Sequence, residues 1–231
     1  ELASITRHEI QRIGKLKAQG SSKPTANRYL ALIRAILRRA NREWEWLDRT
    51  PTITLYPEPN RRVRWLTREQ AERLLAELPA HLADMVRFSL ATGLRQANVT
   101  ELCWEQVDLA RAVAWIHPDQ AKGKQAIPVP LNAEALAVIR AQIGRHPERV
   151  FTYRGQPVGN PNTLAWRLAL QRADITQFRW HDLRHTWASW HVQAGTPLHV
   201  LQELGGWKTA AMVQRYAHMA PEHLAEHAER I

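Results

Sequence analysis

Between Asp48 and Leu66 the chain reads DRTPTITLYPEPNRRVRWL, with three prolines and four arginines in nineteen residues. Each proline removes a backbone donor and locks φ, so neither a helix nor a central strand can run through the stretch. The fold must therefore consist of two bodies joined by an extended segment. The expected division is a small helical domain over 1–50, a linker over 51–64 and a larger domain over 65–231. The chain opens on Glu1 rather than methionine, and the first domain reads as lacking its beginning.

Helical periodicity dominates the first body. Apolar residues recur at helical spacing from Ile5 to about Leu16 and from Thr25 to about Trp46, where Tyr29, Leu32, Ile33, Ile36, Leu37 and Ala40 form one stripe. Arg28, Arg34, Arg38, Arg39 and Arg42 decorate that second helix, with Asn27 near its start. A solvated basic face and a DNA-facing surface both fit this pattern.

In the second body, Thr67 and Gln70 have capping-box spacing ahead of a helix over 68–78, and Gly93 stops a helix over 81–92. The period then changes. AVAWIH and AIPVPL read as two short strands of a hairpin whose polar tip, PDQAKGKQ, carries Lys122 and Lys124. Asn132 caps a helix to about Ile143, and further helices are expected over 161–173 and 182–194, after Pro197, around Tyr216 and beyond Pro221. The fold class is α+β, mostly helical, with a small antiparallel sheet in the larger domain.

Charge narrows the partners. Thirty-two Lys and Arg against 22 Asp and Glu leave +10 at neutral pH, a surplus suited to a polyanion. No segment has the apolar length of a bilayer span and no lipidation signal is present, so nucleic acid is expected rather than a membrane. The single cysteine, Cys103, excludes an internal disulfide framework and fits a reducing, cytoplasmic compartment.

Two stretches carry groups able to do chemistry. FRWHDLRHTWASWH places His181 and Arg184 three apart on one helical face, with His185 next to the arginine. His181-x-x-x-His185 has zinc-site spacing, yet Asp182 stands where the metalloprotease pattern needs Glu, and an arginine lies between the histidines. A phosphate site is the alternative, because arginine offers a planar fork of charged donors and a helix start adds backbone N–H groups. Arg95, just after the Gly93 turn, supplies a second such fork. LGGWKTAAMVQRYAHM then sets Tyr216 beside Arg215 and His218, which suits either a hydrogen-bonded core tyrosine or a nucleophile.

Taken together, ATGLR at 91–95, Lys122 of AKGKQAIPVPL, HDLRH at 181–185, LGGW at 204–207 and YAH at 216–218 resemble the tyrosine recombinase family, the phage integrases and their relatives. Order and spacing match from about residue 60 to 231, and TANRYLALIRAILRRANREWEWLDRTP is similar to the end of the family's helical core-binding domain.

The resemblance implies DNA breakage and rejoining through a 3′-phosphotyrosyl intermediate, without metal or other cofactor. It makes Tyr216 the nucleophile, Arg95 and Arg184 the phosphate clamp, His181 the base and phosphate donor, and Lys122 the proton donor to the leaving oxygen. Trp207 stands where many relatives carry histidine, and Asn98 where they commonly carry an acidic residue. His185 and His218 are implied as supporting residues, and Asn27, Arg28, Arg34, Arg38 and Lys124 as DNA contacts.

Double-stranded attachment sites are the implied partner, with four protomers on two sites, a monomer or weak oligomer without DNA, and DNA-bending accessory proteins. The tail PEHLAEHAERI is expected to dock onto a neighbour through Leu224, Ala225, Ala228 and Ile231. The implied function is integration or excision of a mobile element. A catalytically silent DNA-binding regulator of the same fold and a type IB topoisomerase are the competing readings.

Overall fold

The computed structural model describes residues 2–58, 63–117 and 126–219. Lys122, Lys124 and the tail expected to dock on a neighbour lie outside the described residues. The chain forms two compact units, Glu1–Arg62 and Val63–Ile231.

The first unit is built on α1 (Arg7–Gly20) and α2 (Lys23–Arg42). Thr6 and Glu9 close a reciprocal capping box at the start of α1, and Ser22 caps α2 with Pro24 in its first turn. Only Ser21 and Ser22 separate the helices, so α2 folds back along α1 and the two pack over Ile10, Leu30 and Leu37. Gly14 lets them approach closely: a Cβ there would lie 3.1 Å from the Leu30 methyls.

The apolar stripe of α2 is rotated from the expected one. Ala26, Leu30, Leu37 and Ala40 face the core with Ile33 at its edge, while Tyr29, Leu32 and Ile36 face solvent. The apolar arc is wider than a single partner helix can cover, so its far edge stays wet. Residues 51–58, expected to be linker, pack back onto the helices through Ile53 and Tyr56. Asn27 holds them there: its Nδ2 donates to the Tyr56 carbonyl at 2.9 Å and to Glu58 Oε1 at 2.7 Å, and its Oδ1 accepts from the Tyr56 N–H at 2.8 Å.

In the second unit α3 (Arg68–Glu77) and α4 (Ala80–Thr92) are followed by the short α5 (Gln96–Thr100). A three-stranded antiparallel sheet follows, ordered β1 (Val107–Asp108), β2 (Val113–Ile116), β3 (Ile127–Pro130), with Ala114 opposite Val129 and Ile116 opposite Ile127. Then come α6 (Ala133–Arg140), a two-residue hairpin of β4 (Thr152–Tyr153) and β5 (Gln156–Pro157), α7 (Leu164–Arg172), α8 (Asp182–Gln193), α9 (Leu198–Gly205) and α10 (Ala210–Gln214). The expected helices up to α9 form within a few residues of their anticipated ends, whereas the one expected around Tyr216 stops at Gln214 and leaves Tyr216 in a turn, and the one expected beyond Pro221 lies outside the described residues. β1, α5 and the β4–β5 hairpin were not anticipated, since two to five residues are too few to show a period.

The main core gathers Leu74, Leu82, Met85, Phe88, Phe151 and Trp166 from the surrounding elements. Helix α8 is central to this unit: Leu183 joins that core, while Trp187, Ala188 and Val192 join a second cluster with Leu201, Trp207, Val213 and Tyr216. The chain entering from the first unit is fastened to α8, because Thr186 Oγ1 accepts from the Leu66 N–H at 3.1 Å and Trp190 Nε1 donates to the Leu66 carbonyl at 2.9 Å.

Candidate active site

Three chain turns converge on α8. The first ends α4 at Gly93, which takes a left-handed conformation (φ 64°). A Cβ added there would fall 2.2 Å from Trp187 Cε3, so both the backbone angle and the space require glycine. Directly after this turn Arg95 occupies the N-cap of α5, half-buried. The second turn ends α9 at Gly205, where a Cβ would meet the Trp207 ring at 2.0 Å. The third is the link from α10 through Arg215 to the 3-10 turn Ala217–Met219, which carries Tyr216.

Arg184 ties the first two turns together. Only 5% exposed, it donates Nη1–H to the Gly93 carbonyl at 2.7 Å and Nη2–H to the Gly205 carbonyl, while its guanidinium lies 4.2 Å from the centre of the Trp207 ring. Burial, reinforced by the charge of Arg95, lowers its pKa to about 9. Arg95 is lowered by burial as well. Among the described residues no carboxylate forms an ion pair with either arginine. Two cations held close together, one buried and one half-buried, without an ion-paired carboxylate make a standing site for an anion.

His181 sits at the N-cap of α8, exposed as a residue but with its ring partly screened where it lies against His185; that partial desolvation, then Arg184, lowers its pKa, an effect Asp182 opposes. His185, one turn on, meets it edge to face at 5.1 Å. Burial, then His181, push His185 down to about 4, so its imidazole is neutral at physiological pH. Tyr216 is 1% exposed and its hydroxyl lies 2.6 Å from His185 Nδ1. Burial pushes the phenol up to about 12, against the opposing pull of Arg184 and Arg215.

The structure therefore gathers Arg95, His181, Arg184, His185, Trp207 and Tyr216 around the start of α8. Trp207 spends its ring face on Arg184 and packs 5.9 Å from Tyr216. Asn98 is buried within α5. His218 is exposed on the final turn. Two features escaped the sequence reading: the carbonyls of Gly93 and Gly205 as partners of Arg184, and the direct bond between His185 and Tyr216. Carbonyls leave no mark in side-chain spacing, and residues 31 positions apart meet only through the fold.

On the first unit, Arg28 and Arg38 are exposed and Arg34 is half-buried. Arg34 and Arg38 line a hollow of about 200 Å³ with Thr50, Pro51 and Thr52. Asn27 corrects the expectation of a DNA contact: at 6% exposure its amide is committed to Tyr56 and Glu58 and cannot face a duplex.

The model of the phage integrase family matches residues 64–223. The integrase of Salmonella phage P22 is 47% identical over 93% of the chain and 59% of its own length, and the chain spans roughly half to three-fifths of the first such relatives. Among solved structures, the catalytic domain of bacteriophage HP1 integrase is similar with a TM-score of 0.56 and 28% identity, over 73% of this chain and 95% of that one. The Tn1549 transposon integrase, solved with circular-intermediate DNA, reaches a TM-score of 0.74 at 18% identity over 100% of this chain and 86% of that one, a likeness of fold.

Proposed function

The chain belongs to the phage integrase family, and from that premise we propose that it is a site-specific recombinase of double-stranded DNA, serving integration or excision of a mobile element. The observation that carries the reading is the pair of Arg184, buried, and Arg95, half-buried, with no ion-paired carboxylate among the described residues and with a tyrosine beside them. A phosphodiester is an anion that repels nucleophiles, and two guanidinium groups neutralise its non-bridging oxygens as charge builds at phosphorus. Tyr216 then attacks, forming a tyrosyl–phosphorus bond while the bond to the 5′ oxygen breaks. The departing alkoxide needs a proton, which we assign to Lys122.

His181, at the exposed start of α8, would donate to a phosphate oxygen bound there. Trp207 holds the Arg184 plane in position. Because one phosphoester replaces another of similar energy, the step is reversible without an added cofactor. Arg28, Arg34 and Arg38 add phosphate contacts from the first unit. Four protomers acting on two attachment sites, with bending proteins, complete the proposed assembly, and the cytoplasmic nucleoid is its proposed setting. Among the described residues no helix is long and apolar enough to cross a membrane.

The test uses nicked duplexes tiled across the junctions of the element that carries this sequence. Covalent protein–DNA adduct should form on one of them and vanish in Tyr216→Phe. An adduct that persists in that variant overturns the nucleophile, and the absence of adduct on every duplex overturns the recombinase reading in favour of a DNA-binding regulator.

A further inference from the structure

We propose that His185 takes the phenolic proton of Tyr216 during strand cleavage and returns it on rejoining, so that the base of the reaction is the second histidine of HDLRH and not the first. The inference rests on the recombinase reading and deepens it.

Geometry carries it. The Tyr216 hydroxyl lies 2.6 Å from His185 Nδ1, the distance of a formed hydrogen bond between the atom that would attack and a nitrogen able to accept its proton. His181, by contrast, sits at the mouth of α8 and reaches this pair only as a ring edge against His185. His185 lies within α8 (Asp182–Gln193), so the helix backbone sets where its side chain starts. The next residue back is Arg184, so the acceptor and the phosphate clamp are neighbours on one helix and keep their spacing when DNA seats.

The charged and titratable groups facing His185 are His181, Asp182 and Arg184 from its own helix, and Arg215 and Tyr216 from the link after α10. Burial and the cations keep the ring neutral before reaction, which is the form that accepts a proton. Asp182, itself buried and held by the Arg179 N–H and guanidinium, favours the imidazolium that forms. The phenol is far too weak an acid here to ionise first. Transfer must accompany bond making: as Oη bonds to phosphorus and the 5′ oxygen leaves with a proton from Lys122, the O–H bond breaks and its proton passes to Nδ1. In rejoining, the 5′ hydroxyl attacks phosphorus and gives its proton back to the neutral Lys122 amine, the Oη–phosphorus bond breaks and His185 returns its proton to Oη.

The experiment compares wild type, His185→Asn, His185→Ala and Lys122→Ala on the cleavable duplex and on its twin with sulfur bridging at the 5′ position, a leaving group that needs no proton. Asparagine keeps an acceptor oxygen near Nδ1 but cannot take up a proton. Both His185 variants should form adduct ~100-fold more slowly or worse on either duplex, whereas Lys122→Ala should recover on sulfur. Rates within threefold of wild type, faster cleavage, as a latch on the tyrosine would give, or recovery on sulfur would each overturn the proposal. ¹⁵N spectra of histidine-labelled protein provide a readout independent of cleavage. They should show His185 Nδ1 unprotonated and shifted by Tyr216→Phe; a protonated Nδ1 donating to the phenol would sink it. If wild type forms no adduct on any duplex, the recombinase reading fails, and the spectra still decide the direction of the bond.

Discussion

Arg184 holds two backbone carbonyls and one aromatic face at once, and that number of partners decides what its replacement costs. Arg184→Ala should abolish adduct formation and also lower unfolding stability by about 2–4 kcal/mol, because the carbonyls of Gly93 and Gly205 lose their donors inside the protein. Arg184→Lys keeps the charge, but a single ammonium cannot reproduce the planar fork, so cleavage should remain severely impaired while denaturant melts show a smaller loss. The buried histidine makes a second residue-scale prediction. Folded His185 binds its proton only near pH 4, whereas the unfolded chain binds it near the ordinary 6.5. Between those values the unfolded state holds more protons, so stability rises with pH across the window and falls as pH drops from about 6.5 to 4. His181 and His191, also lowered mainly by burial, act in the same direction. Melting temperatures should follow that slope, and His185→Asn should flatten it; a wild-type melting temperature unchanged across the window would contradict the neutral buried imidazole.

At the scale of elements, the ends of helices matter more than their middles. Gly93→Ala faces a left-handed φ and a Cβ only 2.2 Å from Trp187 Cε3, on a residue locked in the α8 core, so relief requires moving α4 against α8. We expect a loss of about 2–4 kcal/mol in chemical denaturation and, with Arg95 displaced, loss of cleavage. Asn27 makes the corresponding case in the first unit. Asn27→Ala should release residues 51–58 from α2 and destabilise that unit by about 2–3 kcal/mol, visible as faster amide exchange at Tyr56. Most of these elements were readable in the sequence, since 68–78, 81–92 and 182–194 are long enough to show a helical period and end in recognisable caps. The face of α2 was less readable. Its apolar residues wrap far enough around the helix that periodicity alone does not say which edge meets α1.

For the whole molecule, a net charge of +10 predicts DNA affinity that falls steeply with salt. Replacing Arg28, Arg34 or Arg38 singly by alanine should weaken binding across all sequences and reduce the slope of log affinity against log salt by about one each, leaving thermal stability nearly unchanged. Unchanged slopes in fluorescence anisotropy titrations would remove the first unit from the interface. The sequence by itself determined the helical content, the break into two bodies, the basic surplus and, through five ordered blocks, the family, with Tyr216, Arg95, Arg184 and His181 as its candidate site residues. Those properties follow from local period, from proline and glycine, and from residue types that must be present for the chemistry. Only the tertiary structure decided that Asn27 is buried as a clasp, that Arg184 is held by Gly93 and Gly205 under Trp207, and that Tyr216 meets His185. Each of these depends on which faces pack together, and a contact between distant residues is settled by the joint burial of all their neighbours, which no local pattern encodes.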